Sequence, residues 1–296
     1  KWFVSPEQIQ QFSQQARPEV YTSVNLINMG LLVVALVVIG VLFALDLSLR
    51  GKRVGRETCS KLLSLKDLVS PALGITTGMI LIYAGVHRQF FAENLDLMRV
   101  NPTWIYFPLS YAQILLGICL MIGLYTRLAS LVVLVAYLAT AILFGFREWL
   151  DYIDVIGVAA FLMILGRGKF SLDEKFDIRF LDLSQYKEYA MPLLRIFVGL
   201  DLMVLGINDK FFNPYVAMTV VQEYNLNFMQ SLGFAGFTDA HFVLCAAAVE
   251  ASVGLMIALG IVTRLLSVVL IVLFTTTLVI FGPQELIGHL PIFAAV

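Results

Sequence analysis

Residues 105–146 read IYFPLSYAQILLGICLMIGLYTRLASLVVLVAYLATAILFGF, with a single charge, Arg127, in the whole stretch. Two apolar runs of about 20 residues meet at Tyr125-Thr126-Arg127, and each is long enough to cross a bilayer as a helix. A link of three residues makes them a tight antiparallel hairpin. A second hairpin of the same design stands at residues 240–281, where Val262-Thr263-Arg264 is the link. Irregular backbone is not tolerated against lipid, and alternating ten-residue segments of a barrel are absent, so both read as helical hairpins.

Working outward, further apolar runs fall at about 24–46, 69–87, 152–168, 190–209 and 286 onward, which predicts about nine transmembrane helices. The composition agrees: 59% of the 296 residues are hydrophobic and 14% charged, where a soluble domain carries roughly 25% charged residues. Net charge is −1, so no basic field for nucleic acid exists. Cys59, Cys119 and Cys245 form no CxxC and no metal-type spacing. The chain opens at Lys1 and stops at Val296 inside an apolar run, so both natural ends are expected to be missing.

Orientation follows the positive residues. Loops 47–67 and 167–189, with Arg127 and Arg264, hold thirteen, and the opposite side holds six. The richer side is expected to be cytoplasmic, in a bacterial or archaeal inner membrane. Segment 1–23 then lies outside, and residues 24–68 supply one N-terminal transmembrane helix and a basic cytoplasmic loop.

The remainder reads as one module written twice. Gly85-Val86-His87-Arg88-Gln89-Phe90-Phe91 matches Gly206-Ile207-Asn208-Asp209-Lys210-Phe211-Phe212 at a shift of 121. Gly123-Leu124-Tyr125-Thr126-Arg127 matches Gly260-Ile261-Val262-Thr263-Arg264 at a shift of 137, as Phe144-Gly145 and Glu148 match Phe281-Gly282 and Glu285. Sixteen extra residues therefore fall in the second copy within 213–239, an aromatic and lightly charged segment expected to lie in the interface as a short amphipathic helix. The expected fold is all-α and polytopic: a tandem parallel repeat of four-helix modules, 69–188 and 189–296, the second incomplete at its C-terminus.

The recurring Gly-x-x-x-x-Phe-Phe and Gly-[Leu/Ile]-x-Thr-Arg motifs, with Leu194-Arg195 and Glu250 in the second copy, resemble the DoxX family of small four-helix membrane proteins, whose relative DoxD is a membrane subunit of thiosulfate:quinone oxidoreductase. The resemblance covers about 69–296 as two modules. It implies a membrane subunit of a respiratory or redox complex that works with other membrane or redox subunits, around quinone or sulfur chemistry. The usual member is one module, so the fusion and the extra N-terminal helix are departures from that pattern.

Three ionisable residues fall inside the apolar runs of the second copy: Arg195, Asp201 and Glu250. Charge in the bilayer is costly and marks a candidate site. The first copy has Gly74, Ile80 and Gln113 at these positions. One reading is a structural ion pair between helices. The other is a carboxylate kept protonatable by burial and by a neighbouring charge, able to relay protons or hold a quinone head group. His87, His241 and His289 all fall at outer helix ends among carboxylates. Water and helix dipoles favour such residues there; a metal or a haem is the alternative, assembled across helices because no HxxxH or HExxH spacing occurs. No nucleophile–base arrangement, phosphate loop or nucleotide fingerprint is present. Three functions remain open: a redox-complex subunit with a quinone or proton site, a small-molecule transporter or exporter, and a non-catalytic assembly or scaffold subunit.

Overall fold

The computed structural model describes residues 18–22, 26–49, 66–99, 103–178, 180–282, 292, 294 and 295. Apart from one hairpin the elements are helical. They run α1 (Glu19–Thr22), α2 (Leu26–Leu49), α3 (Lys66–Val86), β1 (Gln89–Phe90), β2 (Ala92–Asp96), α4 (Tyr106–Ile122), α5 (Thr126–Leu143), α6 (Phe146–Leu150), α7 (Asp154–Leu165), α8 (Leu172–Lys175) and α9 (Lys187–Leu205). After α9 come a π-helical segment, Gly206–Phe212, then α10 (Pro214–Glu223), α11 (Phe228–Ser231), α12 (Asp239–Leu259) and α13 (Thr263–Phe281). Strands β1 and β2 pair antiparallel. Short 3-10 turns precede α4 and α9.

Five helical stretches among the described residues are long and apolar enough to cross a membrane: Asp67–Val86, Thr126–Leu143, Ser184–Phe212, Asp239–Leu259 and Thr263–Phe281. The apolar helices Tyr106–Ile122 and Asp154–Leu165 are shorter, and α2 is 24 residues long with Val33, Val34, Val37 and Val41 exposed. Apolar surface of this extent facing outward is what a lipid environment covers. A helix stands at each of the first eight expected positions, and the ninth falls largely outside the described residues. Segment 213–239, expected to hold one short amphipathic helix, forms two, α10 and α11. Pro214 opens α10 at the position where a missing N–H costs nothing.

The chain divides into two compact units, residues 1–51 with 199–263, and residues 52–198 with 264–296. In the second-named unit, α3 crosses α4 where Gly78 and Gly117 meet: a Cβ on Gly78 would lie 2.5 Å from the Gly117 carbonyl oxygen. In the other unit Gly199 meets Gly254, again with 2.5 Å to the facing carbonyl oxygen. Two turns further on, Gly85 sits against the Ser110 carbonyl and Ile114, and Gly206 against the Ala247 carbonyl and the Ala251 nitrogen. These partners are related by the two shifts read from the motifs. Small residues that let helix backbones touch are the usual glue between membrane helices.

Both hairpin turns also share one geometry. Gly123 and Gly260 are left-handed at φ 71° and 74°, and Tyr125 and Val262 follow at 48° and 49°. Leu124 and Ile261 donate to the carbonyls of Cys119 and Met256 at 2.9 and 2.8 Å, which ends each helix in a Schellman turn. Burial repeats in the same register: Ala129, Val133 and Tyr137 on α5, and Leu266, Leu270 and Phe274 on α13, are all buried.

Candidate functional site

The first half of the Gly-x-x-x-x-Phe-Phe motif ends α3 and the second half enters the β1–β2 hairpin; the matched residues Gly206–Phe212 continue α9 as a π-helix. Wide π turns inside a helix are rare and concentrate at functional sites. Tyr21 of α1 donates its hydroxyl to the Lys210 carbonyl at 3.1 Å and lays its ring 6.0 Å from Phe211. Asn213 donates to the Asn208 carbonyl at 2.7 Å. So held, the segment aims Lys210 at α12, and its Nζ meets Glu250 Oε2 at 2.6 Å.

Both side chains of this pair are under a third exposed, 27% and 23%. Glu250 lies midway along an apolar helix that has no other acidic or basic residue after its first turn. Gly206 gives it room, since a Cβ there would come 3.1 Å from the Glu250 Cβ. A charge-assisted bond of this length satisfies both groups, and partial burial removes most of the solvent screening that weakens surface pairs.

The matched positions in the other unit also meet, with different chemistry. Gln113 is buried, at 2% exposure. Its amide donates to the Leu81 and Gln89 carbonyls, both at 3.1 Å, and its oxygen accepts from the Phe91 N–H at 3.2 Å. Gln89 corresponds to Lys210, and Gln113 to Glu250. The amide ties the end of α3, the hairpin and α4 together and carries no exchangeable charge.

Residues 190–283 match the family model of DoxX. This stretch is similar to a DoxX domain. It takes in α9, the π segment and the helices to the end of α13, and with them Lys210 and Glu250. No curated protein and no solved structure matches the chain.

The other expected site residues separate into groups. Asp201, within the matched stretch, is buried at 3% exposure on α9. Arg195 is partly buried, with an enclosed Nε that has no hydrogen-bond partner. The carboxylate of Glu250 is engaged by Lys210, which the charge count places among outer-side positives. His87 is exposed at the end of α3, donates Nδ1–H to the Tyr83 carbonyl at 2.8 Å and stacks 4.1 Å from the Tyr83 ring. His241 belongs to a capping box at the start of α12: Nδ1 accepts from the Thr238 N–H at 3.2 Å, and the Thr238 oxygen takes the His241 N–H. His289 lies outside the described residues. Among the described residues no group of three or more His, Cys, Asp or Glu side chains could hold a metal. The roles seen for His87 and His241 are those of helix-end residues.

Sequence reasoning missed Lys210. The signal was available, since Gln89 and Lys210 align as Gln113 and Glu250 do. A lysine stem is long enough to carry its charge several ångströms from its own backbone.

Proposed function

We propose that the protein is the membrane subunit of a redox complex in which the DoxX domain supplies a protonatable site to a quinone. The reading rests on one observation, the Lys210–Glu250 pair half-buried on the π segment and mid-helix on α12. Reduction of a quinone to a quinol takes up two electrons, supplied by the partner subunit's redox centre, and two protons; in the pair the Lys210 ammonium holds a proton to donate and the Glu250 carboxylate can accept its replacement. The neutral Gln113 network does not offer this, so only the second module is assigned the chemistry. Asp201, buried in the same unit as Glu250, is the candidate for the next proton carrier.

In this proposal residues 69–188 form a structural module and residues 189–296 the working one. The matched glycine crossings and turns support a duplicated four-helix unit in parallel orientation. The basic loops lie in the cytoplasm of a bacterial or archaeal cell, and the redox centre belongs to a partner subunit docked on the module.

The test is purification in mild detergent with quinone extraction, an absorption spectrum and identification of copurifying subunits. Bound quinone, lost or weakened in Glu250→Gln and Lys210→Met while Gln113→Asn keeps it, is the expected result. A preparation without quinone or redox partner removes the redox reading and moves the weight to transport.

A further inference from the structure

A cavity of about 490 Å³ opens on the loop that joins α7 to α8, lined by the cations Arg127, Arg167 and Lys169 and by the carboxylates of Asp173, Glu174, Asp177 and Asp182, among others. Its cations differ in one respect. Arg127 is engaged by Asp182 at 3.1 Å and by the Leu181 carbonyl. Lys169 is engaged by Asp67 at 2.5 Å. The Asp173 carboxylate is taken by the N–H groups of Tyr125 and Thr126. Arg167 has no carboxylate partner among the described residues. It is 7% exposed, its Nε has no partner, and its one hydrogen bond is a long 3.5 Å contact from Nη1 to the Phe170 carbonyl.

The backbone is built around this side chain. Gly74 and Gly123 face its stem, and a Cβ on either would come within 3.3 and 2.8 Å of Arg167 Cδ. Left-handed Gly166 and Gly168 flank it. Burying a guanidinium without a counter-charge is costly unless something else neutralises it. With Nε enclosed, the terminal nitrogens are the part that can meet a ligand, and a guanidinium suits the paired oxygens of a phosphate. The second module puts Arg195 at the position matching Gly74, again with an enclosed and unpartnered Nε. An arginine is thus supplied to this level of both modules from different elements. Phe180, which lines the cavity, is 51% exposed, and Phe170 and Phe176 of the same stretch of chain are 80% and 63% exposed, as aromatic side chains are at a membrane interface.

We infer that Arg167 and its cavity form a binding site for a phosphate oxyanion, carried by an anionic phospholipid headgroup or by a soluble phosphate. A buried guanidinium that no carboxylate engages is suited to either. The site is independent of the Lys210–Glu250 reading and lies in the other compact unit.

The experiment uses the full chain in neutral detergent. Phosphatidylglycerol in mixed micelles and inorganic phosphate are titrated separately, with phosphatidylcholine as control, and the thermal midpoint is read. A saturable rise with phosphatidylglycerol alone assigns a lipid, and one with inorganic phosphate assigns a soluble ligand. In either case Arg167→Gln, which keeps much of the stem, should bind about tenfold more weakly, and Arg167→Lys less severely so. Amide exchange across residues 166–171 of the unmodified protein should also slow on adding the effective probe. The proposal fails if neither probe moves the midpoint or the exchange, or if Arg167→Gln responds as the unmodified protein does.

Discussion

Gln113 and Glu250 hold matched positions on matched helices, and the two answer the same structural problem differently. Each must satisfy polar groups where the Gly-x-x-x-x-Phe-Phe segment leaves its helix. Gln113 does so with a neutral amide that bonds the Leu81 carbonyl of α3 and two backbone groups of the β1–β2 hairpin, at Gln89 and Phe91. Glu250 does so with a charge, which calls for Lys210 and for the π-helical backbone that delivers it. A scaffold needs the first arrangement, since every donor and acceptor is satisfied without a mobile proton. The second places a charged pair within an apolar helix, where removing either partner alone would leave the other uncompensated.

The sharpest way to break this comparison is to exchange the two. Gln113→Glu removes the donor that serves the Leu81 and Gln89 carbonyls and puts a carboxyl group in a site of 2% exposure. A loss of about 3 kcal/mol in detergent unfolding is expected, from an uncompensated buried charge and two unserved acceptors. Adding Gln89→Lys tests what aims the cation. Rescue by the double variant would make the two positions interchangeable between modules. Failure of rescue would assign the aim of Lys210 to the π backbone, which β1 lacks.

The shared crossings predict the next effect in size. Gly199→Ala and Gly78→Ala each force a methyl to within 2.5 Å of a facing carbonyl oxygen. Each should cost about 1–3 kcal/mol through displacement of the helices. Gly40→Ala on α2, where nothing lies within 4 Å, should be neutral or mildly stabilising. Similar losses at Gly78 and Gly199 would mean that the two crossings carry equal weight. A large loss at only one would mean that the duplicated geometry does different work in each unit.

Much of this arrangement was legible in the sequence, and the part that was not has a physical cause. Apolar run length marked eight helix positions, because hydrophobic thickness sets the length of a spanning helix. The Thr-Arg motifs marked both turns, because only a glycine ends a helix cheaply in the left-handed region. The motif Gly-x-x-x-x-Phe-Phe was readable as a repeat but not as two backbones. Its conformation is settled by the neighbouring element on its C-terminal side, a strand at Ala92 in one place and Pro214 opening α10 in the other. Lys210 and Arg167 looked like ordinary loop cations. Their partners and enclosures come from residues roughly 40 to 90 positions away, and no local pattern reports such contacts.

The smallest predicted effect concerns the turns. Asp173 takes the N–H groups of Tyr125 and Thr126 at 2.6 and 2.8 Å, and so caps α5 from the short helix α8. Tyr125 is left-handed there, which costs a non-glycine residue about 1 kcal/mol or more. The carboxylate offsets that strain by satisfying donors that a helix start leaves without intrahelical partners. Asp173→Asn keeps one acceptor oxygen and loses the charge, so the cost should be about 1 kcal/mol. The readout is amide exchange, faster at residues 125–128 and unchanged at residues 262–265. That contrast separates the cap from the turn itself, because both turns share the Schellman geometry whatever becomes of Asp173. If exchange rises equally at both turns, α8 acts on the whole bundle and the two turns are not independent. If it rises at neither, the left-handed Tyr125 is held by packing, and the carboxylate contributes only to the neighbouring cavity.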